Sequence, residues 1–132
     1  MRAVLDPNVI VSALLAPSGT PAKVLRAWLN GDYEIIASPL LLEELTRVFD
    51  YPKIRSRISE AESRQFIELL NHQGGIVDDP DLSLSVHSSD PDDDYLIALA
   101  ATTRSVVVSG DHHLLDLAGQ LPVHSPAAFS PF

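Results

Sequence analysis

The sequence predicts an α/β fold in which a parallel β-sheet carries helices on both faces. Short apolar runs, such as Arg2–Leu5 and Glu34–Ala37, end abruptly and are followed by stretches with the apolar spacing of helices. Some of these stretches begin with a capping residue and a proline, as at Ser38 and Pro39. Strands that alternate with helices are typical of parallel sheets, because parallel strands need a long crossover connection.

The first half of the chain begins with the strand Arg2–Leu5. A short helix follows over residues 9–15, and Thr20 is predicted to cap a second helix whose first helical residue is proline. The second strand leads into a helix that begins at Ser38 and is stopped by Pro52. These elements form two strand–helix units.

The second half of the chain continues the alternation. A Ser-x-x-Glu capping box at residues 59–62 begins a helix that ends at Gly74. The polar, Pro-containing residues 78–93 are predicted to be a surface loop. The remaining predicted elements are a short strand over 75–77, a helix over 94–102, a strand over 105–109, a helix over 111–118 and a strand over 121–124. We expect one domain over residues 1–132, with an irregular tail from about residue 125.

The composition excludes several kinds of site. The 132-residue chain contains no Cys, so it has no disulfide, no thiolate nucleophile and no Cys-ligated metal. Its longest apolar run, residues 9–16, is far shorter than the roughly 20 residues of a membrane helix. A signal peptide is not expected, because Asp6 would lie inside its apolar region. We therefore expect a cytoplasmic protein.

Acidic residues are concentrated in the second half of the chain. The protein has 18 acidic and 9 basic residues, a net charge of −9. Residues 65–132 hold ten acids and a single base, Arg104, whereas residues 23–64 are close to neutral. This balance argues against tight nonspecific DNA binding, which depends on neutralising phosphates. A carboxylate cation site and a merely solubilising acidic surface both remain open.

Two acidic residues follow predicted strands. Asp6 comes directly after the first strand, and Asp111 comes two residues after Ser109, where another strand ends. Ligands of open parallel sheets bind outside the carboxyl ends of the strands. Capping explains each residue equally well, since Asp6 precedes Pro7 and Asp111 precedes a short helix. Two acids at adjacent strand ends repel each other unless a cation lies between them, which favours a cation site.

Helical geometry separates the neighbours Glu43 and Glu44. Glu43 has Arg47 as its i+4 neighbour, which predicts an exposed ion pair. Glu44 lies between Leu41 and Val48 along the apolar stripe, where an unpaired acid would be costly. We therefore predict that Glu43 belongs to the surface and Glu44 to a site.

The densest acidic run covers residues 90–94, directly before an apolar helix. Capping and the helix dipole explain one or two of its four acids. A calcium-binding EF-hand is excluded, because its sixth position would be Tyr95 instead of Gly and its twelfth Ala101 instead of Glu. Asp94 is nearest the apolar helix and is predicted to point inward.

The remaining candidates are polar neighbours of Asp111. Ser109 is placed to hydrogen-bond a carboxylate or a water. His112 and His113 could contact a metal or a phosphate, although exposed helix residues explain them more simply. The sequence contains no G-x-S-x-G, Walker or G-x-G-x-x-G pattern.

Four segments together resemble the acidic motifs of PIN-domain nucleases: residues 5–12, 38–45, 90–100 and 107–111. Their order and spacing match along nearly the whole chain, and the sequence is most similar to the VapC-like toxins of type II toxin–antitoxin pairs. The resemblance implies a doubly wound domain with a central parallel sheet of about five strands in the order 3-2-1-4-5. It also implies a ribonuclease that uses Mg²⁺ or Mn²⁺ to cleave phosphodiester bonds.

The resemblance assigns catalytic and metal-binding roles to four acidic residues: Asp6, Glu44, Asp94 and Asp111. It adds four candidate helpers: Asn8, Asp92, Asp93 and Ser109. Pro7 departs from the family pattern, since many members have Thr or Ser there, so a hydroxyl that could orient a metal ligand is missing.

The resemblance further implies partners. These are an RNA substrate, a cognate antitoxin and, as a further candidate, a second copy of the chain. We predict that an antitoxin would lay an apolar segment over the helices near residues 25–28 and 41–48 and direct a basic side chain at the carboxylates.

Two other functions remain open. One is a non-catalytic acidic module that binds a partner protein. The other is a metal-dependent phosphatase, although its usual D-x-D pair is absent because Asn8 stands two residues after Asp6.

Overall fold

The computed structural model describes residues 1–80 and 94–129, and the predicted α/β class is confirmed. The strands are β1 (Arg2–Leu5), β2 (Glu34–Ala37), β3 (Gly75–Ile76), β4 (Val106–Val108) and β5 (Val123–His124). The helices are α1 (Pro7–Leu15), α2 (Thr20–Leu29), α3 (Pro39–Phe49), α4 (Pro52–Arg55), α5 (Glu60–Gln73), α6 (Asp94–Thr103) and α7 (His112–Leu115).

The five strands form one parallel sheet in the order β3-β2-β1-β4-β5, as the resemblance implied. β1 is the central strand and pairs with both β2 and β4. In the β1–β4 register, Leu5 lies opposite Val108. The residues that follow these two strands, Asp6 and Ser109, are therefore neighbours at the carboxyl edge of the sheet.

Both faces of the sheet are covered. Three consecutive residues of β1, Ala3, Val4 and Leu5, are all buried although their side chains alternate between the two faces. α1 packs against α2 and α3, while α6 packs against β1 and β4. Within residues 1–80 and 94–129, no helix is both long and apolar enough to cross a membrane.

Several predicted helix starts are confirmed by their hydrogen bonds. The hydroxyl of Ser38 accepts a hydrogen bond from the backbone N–H of Leu41 at 3.3 Å, which caps α3. Ser59 and Glu62 form the reciprocal capping box of α5, with both hydrogen bonds at 3.1 Å. α5 ends at Gly74, as predicted.

Other boundaries differ from the prediction. α2 is capped by Gly19 rather than Thr20, because Thr20 is already helical and proline is tolerated anywhere in a first turn, where backbone N–H groups have no helical partner. Pro52 follows the end of α3 but also begins the short helix α4. α1 begins earlier than predicted, at Pro7, and α7 has only four residues. Residues 81–93 of the predicted loop and residues 130–132 of the tail lie outside the described residues.

The docking of an antitoxin over the helices near residues 25–28 and 41–48 stays a prediction, but four apolar residues of these segments do not face solvent. The side chains of Leu25, Trp28, Leu41 and Val48 are buried in the core of the protein itself. They belong to the buried faces of α2 and α3, and α1 packs against both of these helices.

Candidate functional site

Asp6 lies where the central strand turns into a helix. β1 ends at Leu5 and α1 begins at Pro7, and the residue between them is only 4% exposed. Asp6 Oδ1 accepts a hydrogen bond from the backbone N–H of Asn8 at 3.0 Å. Asp6 Oδ2 accepts a hydrogen bond from the hydroxyl of Ser109 at 2.8 Å. Both carboxylate oxygens are therefore held in defined positions.

Ser109 connects Asp6 with Asp111. It is completely buried just beyond β4, and its Oγ accepts a hydrogen bond from the backbone N–H of Asp111 at 3.0 Å. Asp111 is half-buried and caps α7 by accepting a hydrogen bond from the backbone N–H of His113 at 2.9 Å. The prediction that Ser109 hydrogen-bonds a carboxylate is confirmed, and the carboxylate is that of Asp6.

Burial raises the pKa of Asp6 above its ordinary value. The hydrogen bonds from Asn8 and Ser109 lower that pKa in part, whereas the negative charges of Asp111 and Glu44 raise it further. The carboxylates of Glu44 and Asp111 therefore lie close enough to Asp6 to disfavour its ionisation. A bound cation would relieve this repulsion.

Glu44 reaches this region from α3. Its side chain is 32% exposed, whereas Glu43 is exposed, as the helical geometry predicted. The predicted ion pair of Glu43 with Arg47 is wrong, since Arg47 pairs with Glu44 among the described residues. Arg47 Nε lies 3.1 Å from Glu44 Oε2, and Arg47 Nη2 also donates to Oε1. The i,i+3 spacing brings Glu44 as close to Arg47 as the i,i+4 spacing would bring Glu43.

Two cavities meet at Asp6 and Asn8. The larger, about 500 Å³, lies towards α3 and the start of α6, and the smaller, about 360 Å³, lies towards α7. The larger cavity is lined by Asp6, Pro7, Asn8, Leu40, Glu43, Glu44, Arg47, Tyr95 and Leu96. The smaller cavity is lined by Asp6, Asn8, Val9, Ser12, Pro21, Gly110, Asp111 and Pro126. Asp6 thus borders both cavities although its side chain is almost fully buried.

Asp94 directly precedes two residues that line the larger cavity. It is the first residue of α6 and is half-buried, and the next two residues, Tyr95 and Leu96, line the cavity that contains Asp6. The candidate helpers Asp92 and Asp93, with the rest of the acidic run from Asp90, lie outside the described residues.

The histidines beside Asp111 bring further atoms that could bind a metal close to its carboxylate. His112 is exposed and His113 is half-buried, and their ring centroids are 4.1 Å apart. The ligand atoms of Asp111, His112 and His113 lie within 4.8 Å of one another. The structure thus agrees with the prediction of an exposed position for His112 and leaves both imidazoles within reach of a metal at Asp111.

Capping and a cation site are alternative explanations of Asp6 and Asp111, and the structure shows that both residues cap a helix without excluding a cation site. Each residue uses one carboxylate oxygen to cap a helix, which leaves further lone pairs on both carboxylates. Carboxylate oxygens are the ligands that Mg²⁺ and Mn²⁺ prefer. The donor set around Asp6 therefore fits such an ion.

Sequence reasoning missed the place of Arg47 and Tyr95 in the larger cavity. The i+3 spacing of Arg47 from Glu44 does indicate a contact between them. The i+4 spacing of Arg47 from Glu43 indicates a contact equally well, so the sequence does not single out Glu44. Tyr95 carries no such signal, because its position depends on how α6 packs on the sheet.

Residues 2–113 match the PIN domain family. The chain is also 26% identical over 117 residues to the uncharacterised protein MJ1680 of Methanocaldococcus jannaschii, a match that covers 89% of this chain and 75% of that protein.

Solved structures share the fold at low sequence identity. VapBC2 from Rickettsia felis, bound to a DNA fragment from its promoter, matches 95% of this chain and 98% of that chain, with a TM-score of 0.63 and 15% identity. FitAB bound to the IR36 DNA fragment matches 97% of both chains, with a TM-score of 0.65 and 16% identity. VapBC-1 from nontypeable Haemophilus influenzae matches 96% of this chain and 99% of that chain, with a TM-score of 0.63 and 16% identity.

Proposed function

The chain belongs to the PIN-domain family of nucleases, and from that premise we propose that it is a metal-dependent ribonuclease. The observation that carries the proposal is that the buried Asp6 shares the larger cavity with Glu44 and the smaller cavity with Asp111. Asp94, which directly precedes the cavity residues Tyr95 and Leu96, is proposed as the fourth member of the site.

The proposed cofactor is Mg²⁺ or Mn²⁺, held by Asp6, Glu44, Asp94 and Asp111. Such an ion supplies a bound water of lowered pKa and screens charge on a phosphate. The protein's own part is to fix its ligands. Ser109 holds one oxygen of Asp6 and the backbone of Asp111 at once, so it sets the position of both acidic residues. Asn8 holds the other oxygen of Asp6 through its backbone N–H.

The shape of the site supports an extended substrate. Cavities open on both sides of Asp6, so a polynucleotide strand could cross the carboxylates with a nucleotide on each side. A small phosphomonoester would need only one of the two cavities. This arrangement favours phosphodiester cleavage over phosphatase activity.

We also propose that the protein is the toxin of a toxin–antitoxin pair. The support is its fold, which is shared with chains of the VapBC2, FitAB and VapBC-1 structures. The antitoxin would direct a basic side chain at the carboxylates. Co-purification with the product of the neighbouring reading frame tests this proposal, and a complex with undiminished nuclease activity would contradict it.

Cleavage assays with and without metal test the nuclease proposal. The purified protein should cut RNA in Mg²⁺ or Mn²⁺ and stop when EDTA is added, and it should leave a generic phosphomonoester intact. Cleavage that continues in EDTA would exclude the metal mechanism. Hydrolysis of the phosphomonoester alone would indicate a phosphatase, and no cleavage of any RNA would favour a protein-binding module.

A further inference from the structure

Arg47 occupies both oxygens of a proposed metal ligand. Its Nε donates to Glu44 Oε2 at 3.1 Å, and its Nη2 donates to Oε1 of the same carboxylate. This two-point contact between a guanidinium and a carboxylate is the strongest form of such a pair. The carboxylate of Glu44, which is proposed to bind the metal, is therefore already paired with a cation.

Arg47 also lies in the larger cavity together with Asp6. Its side chain is 62% exposed, and its guanidinium carbon lies 5.9 Å from the ring centroid of Tyr51. Among the described residues that line the two cavities around Asp6, Arg47 is the one side chain with a positive charge. A phosphate that enters this acidic region would find its cationic partner here.

We propose that Arg47 is a displaceable counter-ion of the metal site. Its guanidinium balances the charge of Glu44 while no metal is bound, and it turns to a phosphate of the substrate when Glu44 binds the metal. The inference rests on the proposed nuclease function. Two cations repel each other across one carboxylate, and the divalent ion carries the higher charge. The guanidinium fork matches phosphate as well as it matches carboxylate, so the displaced Arg47 has a second partner in the cavity.

An ordinary surface ion pair offers a control. Arg64 and Glu60 pair at 3.2 Å on α5, with side chains that are 64% and 79% exposed. Neither residue lines the cavities around Asp6. Glu44 is less exposed than Glu60 and shares a cavity with Asp6, so only the Arg47 pair should respond to metal.

Metal binding without RNA gives the first test. Mn²⁺ is titrated calorimetrically into the metal-free full chain, as wild type, Arg47→Gln and Arg64→Gln. We expect Arg47→Gln to bind Mn²⁺ about two- to fivefold more tightly than wild type, the range that corresponds to a partly exposed ion pair. Arg64→Gln should bind Mn²⁺ like wild type. Equal or weaker Mn²⁺ binding by Arg47→Gln would overturn the inference while leaving the nuclease proposal intact. If the wild type bound no Mn²⁺, both the inference about Arg47 and the proposed metal-dependent nuclease function would be overturned.

RNA kinetics at saturating Mn²⁺ give the second test. Arg47→Gln should raise the KM for RNA by about tenfold, because a charged hydrogen bond to phosphate is lost, and kcat should change much less. Arg47→Lys keeps the charge but lacks the fork, so it should restore Mn²⁺ affinity to the wild-type value while KM stays raised. A KM for Arg47→Gln equal to that of wild type would exclude the phosphate contact. Melting curves of all variants check that the effects do not come from misfolding.

Discussion

Two strand-to-helix junctions of this protein use the same local arrangement with different capping residues. After β1, Asp6 precedes Pro7, and after β2, Ser38 precedes Pro39. Both capping residues are buried, and each accepts a hydrogen bond from a backbone N–H in the first turn of its helix. The two junctions therefore differ mainly in the charge of the capping side chain.

The comparison shows what capping requires and what it does not. Ser38 begins α3 with a neutral hydroxyl, and Ser and Asp are about equally good caps. At Asp6, burial opposes the ionised form, and a second oxygen is held by Ser109, a contact that no cap needs. The need for a helix cap therefore does not explain why the residue after β1 carries a negative charge. The proposed role in binding a cation would explain it.

The largest effect should come from removing that charge. Asp6→Asn can still cap α1, because Asn caps as well as Asp, but it removes a proposed metal ligand. We expect Mn²⁺-dependent RNA cleavage to fall by at least about a hundredfold, since even outer-shell partners of metal ligands are worth about 10–100-fold. Initial rates of cleavage measure this effect. A variant with wild-type activity would place the metal elsewhere.

Asp6→Asn should also change how stability depends on pH. The pKa of Asp6 is raised in the folded protein, so its ionisation favours the unfolded chain. The metal-free wild type therefore loses part of its stability as the pH rises from about 4, the unfolded value, through the raised folded value. Asp6→Asn lacks this loss, so its free energy of unfolding should rise relative to that of the wild type over this pH interval. Denaturant unfolding in EDTA measures the difference. A parallel pH dependence of the two proteins would contradict the raised pKa.

The next effect concerns neighbours on the helix that Ser38 caps. Glu44→Gln should lower RNA cleavage by about tenfold or more, because it removes a proposed metal ligand. Glu43→Gln should leave the rate within a few-fold of wild type, since Glu43 is exposed. Parallel cleavage assays make the comparison. If Glu43 were the essential residue, α3 would supply Glu43 rather than Glu44 to the site.

Asp94 is an acidic residue at the start of α6, and, as for Asp6, its charge could serve the helix or a bound metal. Mn²⁺ at a hundredfold excess over its Kd should stabilise the wild type by about 2.7 kcal/mol, which raises Tm by roughly 3–8 °C. Asp94→Asn should shrink this increase and leave the metal-free Tm equal or higher. Melting curves with EDTA and with Mn²⁺ measure both quantities. An unchanged metal-induced increase would leave Asp94 as an acidic residue of the first turn of α6 with no part in metal binding.

The smallest effect should come from the junction between β2 and α3, where the capping residue is the neutral Ser38. Ser38→Ala removes the hydrogen bond to the backbone N–H of Leu41 and should lower the free energy of unfolding by about 1 kcal/mol. The stabilisation by Mn²⁺ should remain as in wild type. Urea unfolding with and without Mn²⁺ tests both statements. Loss of the metal response in Ser38→Ala would mean that the two junctions are coupled and that the comparison between them fails.

Features that depend on adjacent residues could be predicted from the sequence. The capping box of Ser59 and Glu62 and the end of α5 at Gly74 are set by hydrogen bonds within one turn, so their patterns are visible in the chain. The α/β class follows in the same way from the alternation of short apolar runs and amphipathic stretches. The strand order came from the resemblance to a family rather than from these local patterns.

Features that depend on packing could not be predicted in the same way. The partner of Arg47 is one of two glutamates at permitted helical spacings, and spacing alone does not choose between them. The contact of Ser109 with Asp6 joins residues 103 positions apart and exists because β1 and β4 are neighbours. Asp6 was treated as either a cap or a ligand, but its two oxygens allow both.

The outer strands of the sheet have a consequence for behaviour in solution. β3 and β5 contain two residues each, so within the described part of the chain the sheet ends in very short edges. A long exposed edge would offer a row of backbone amides and carbonyls to which another chain could add a strand. Edges of this length offer very few such groups. We therefore expect the folded protein to resist aggregation through strand addition even at high concentration.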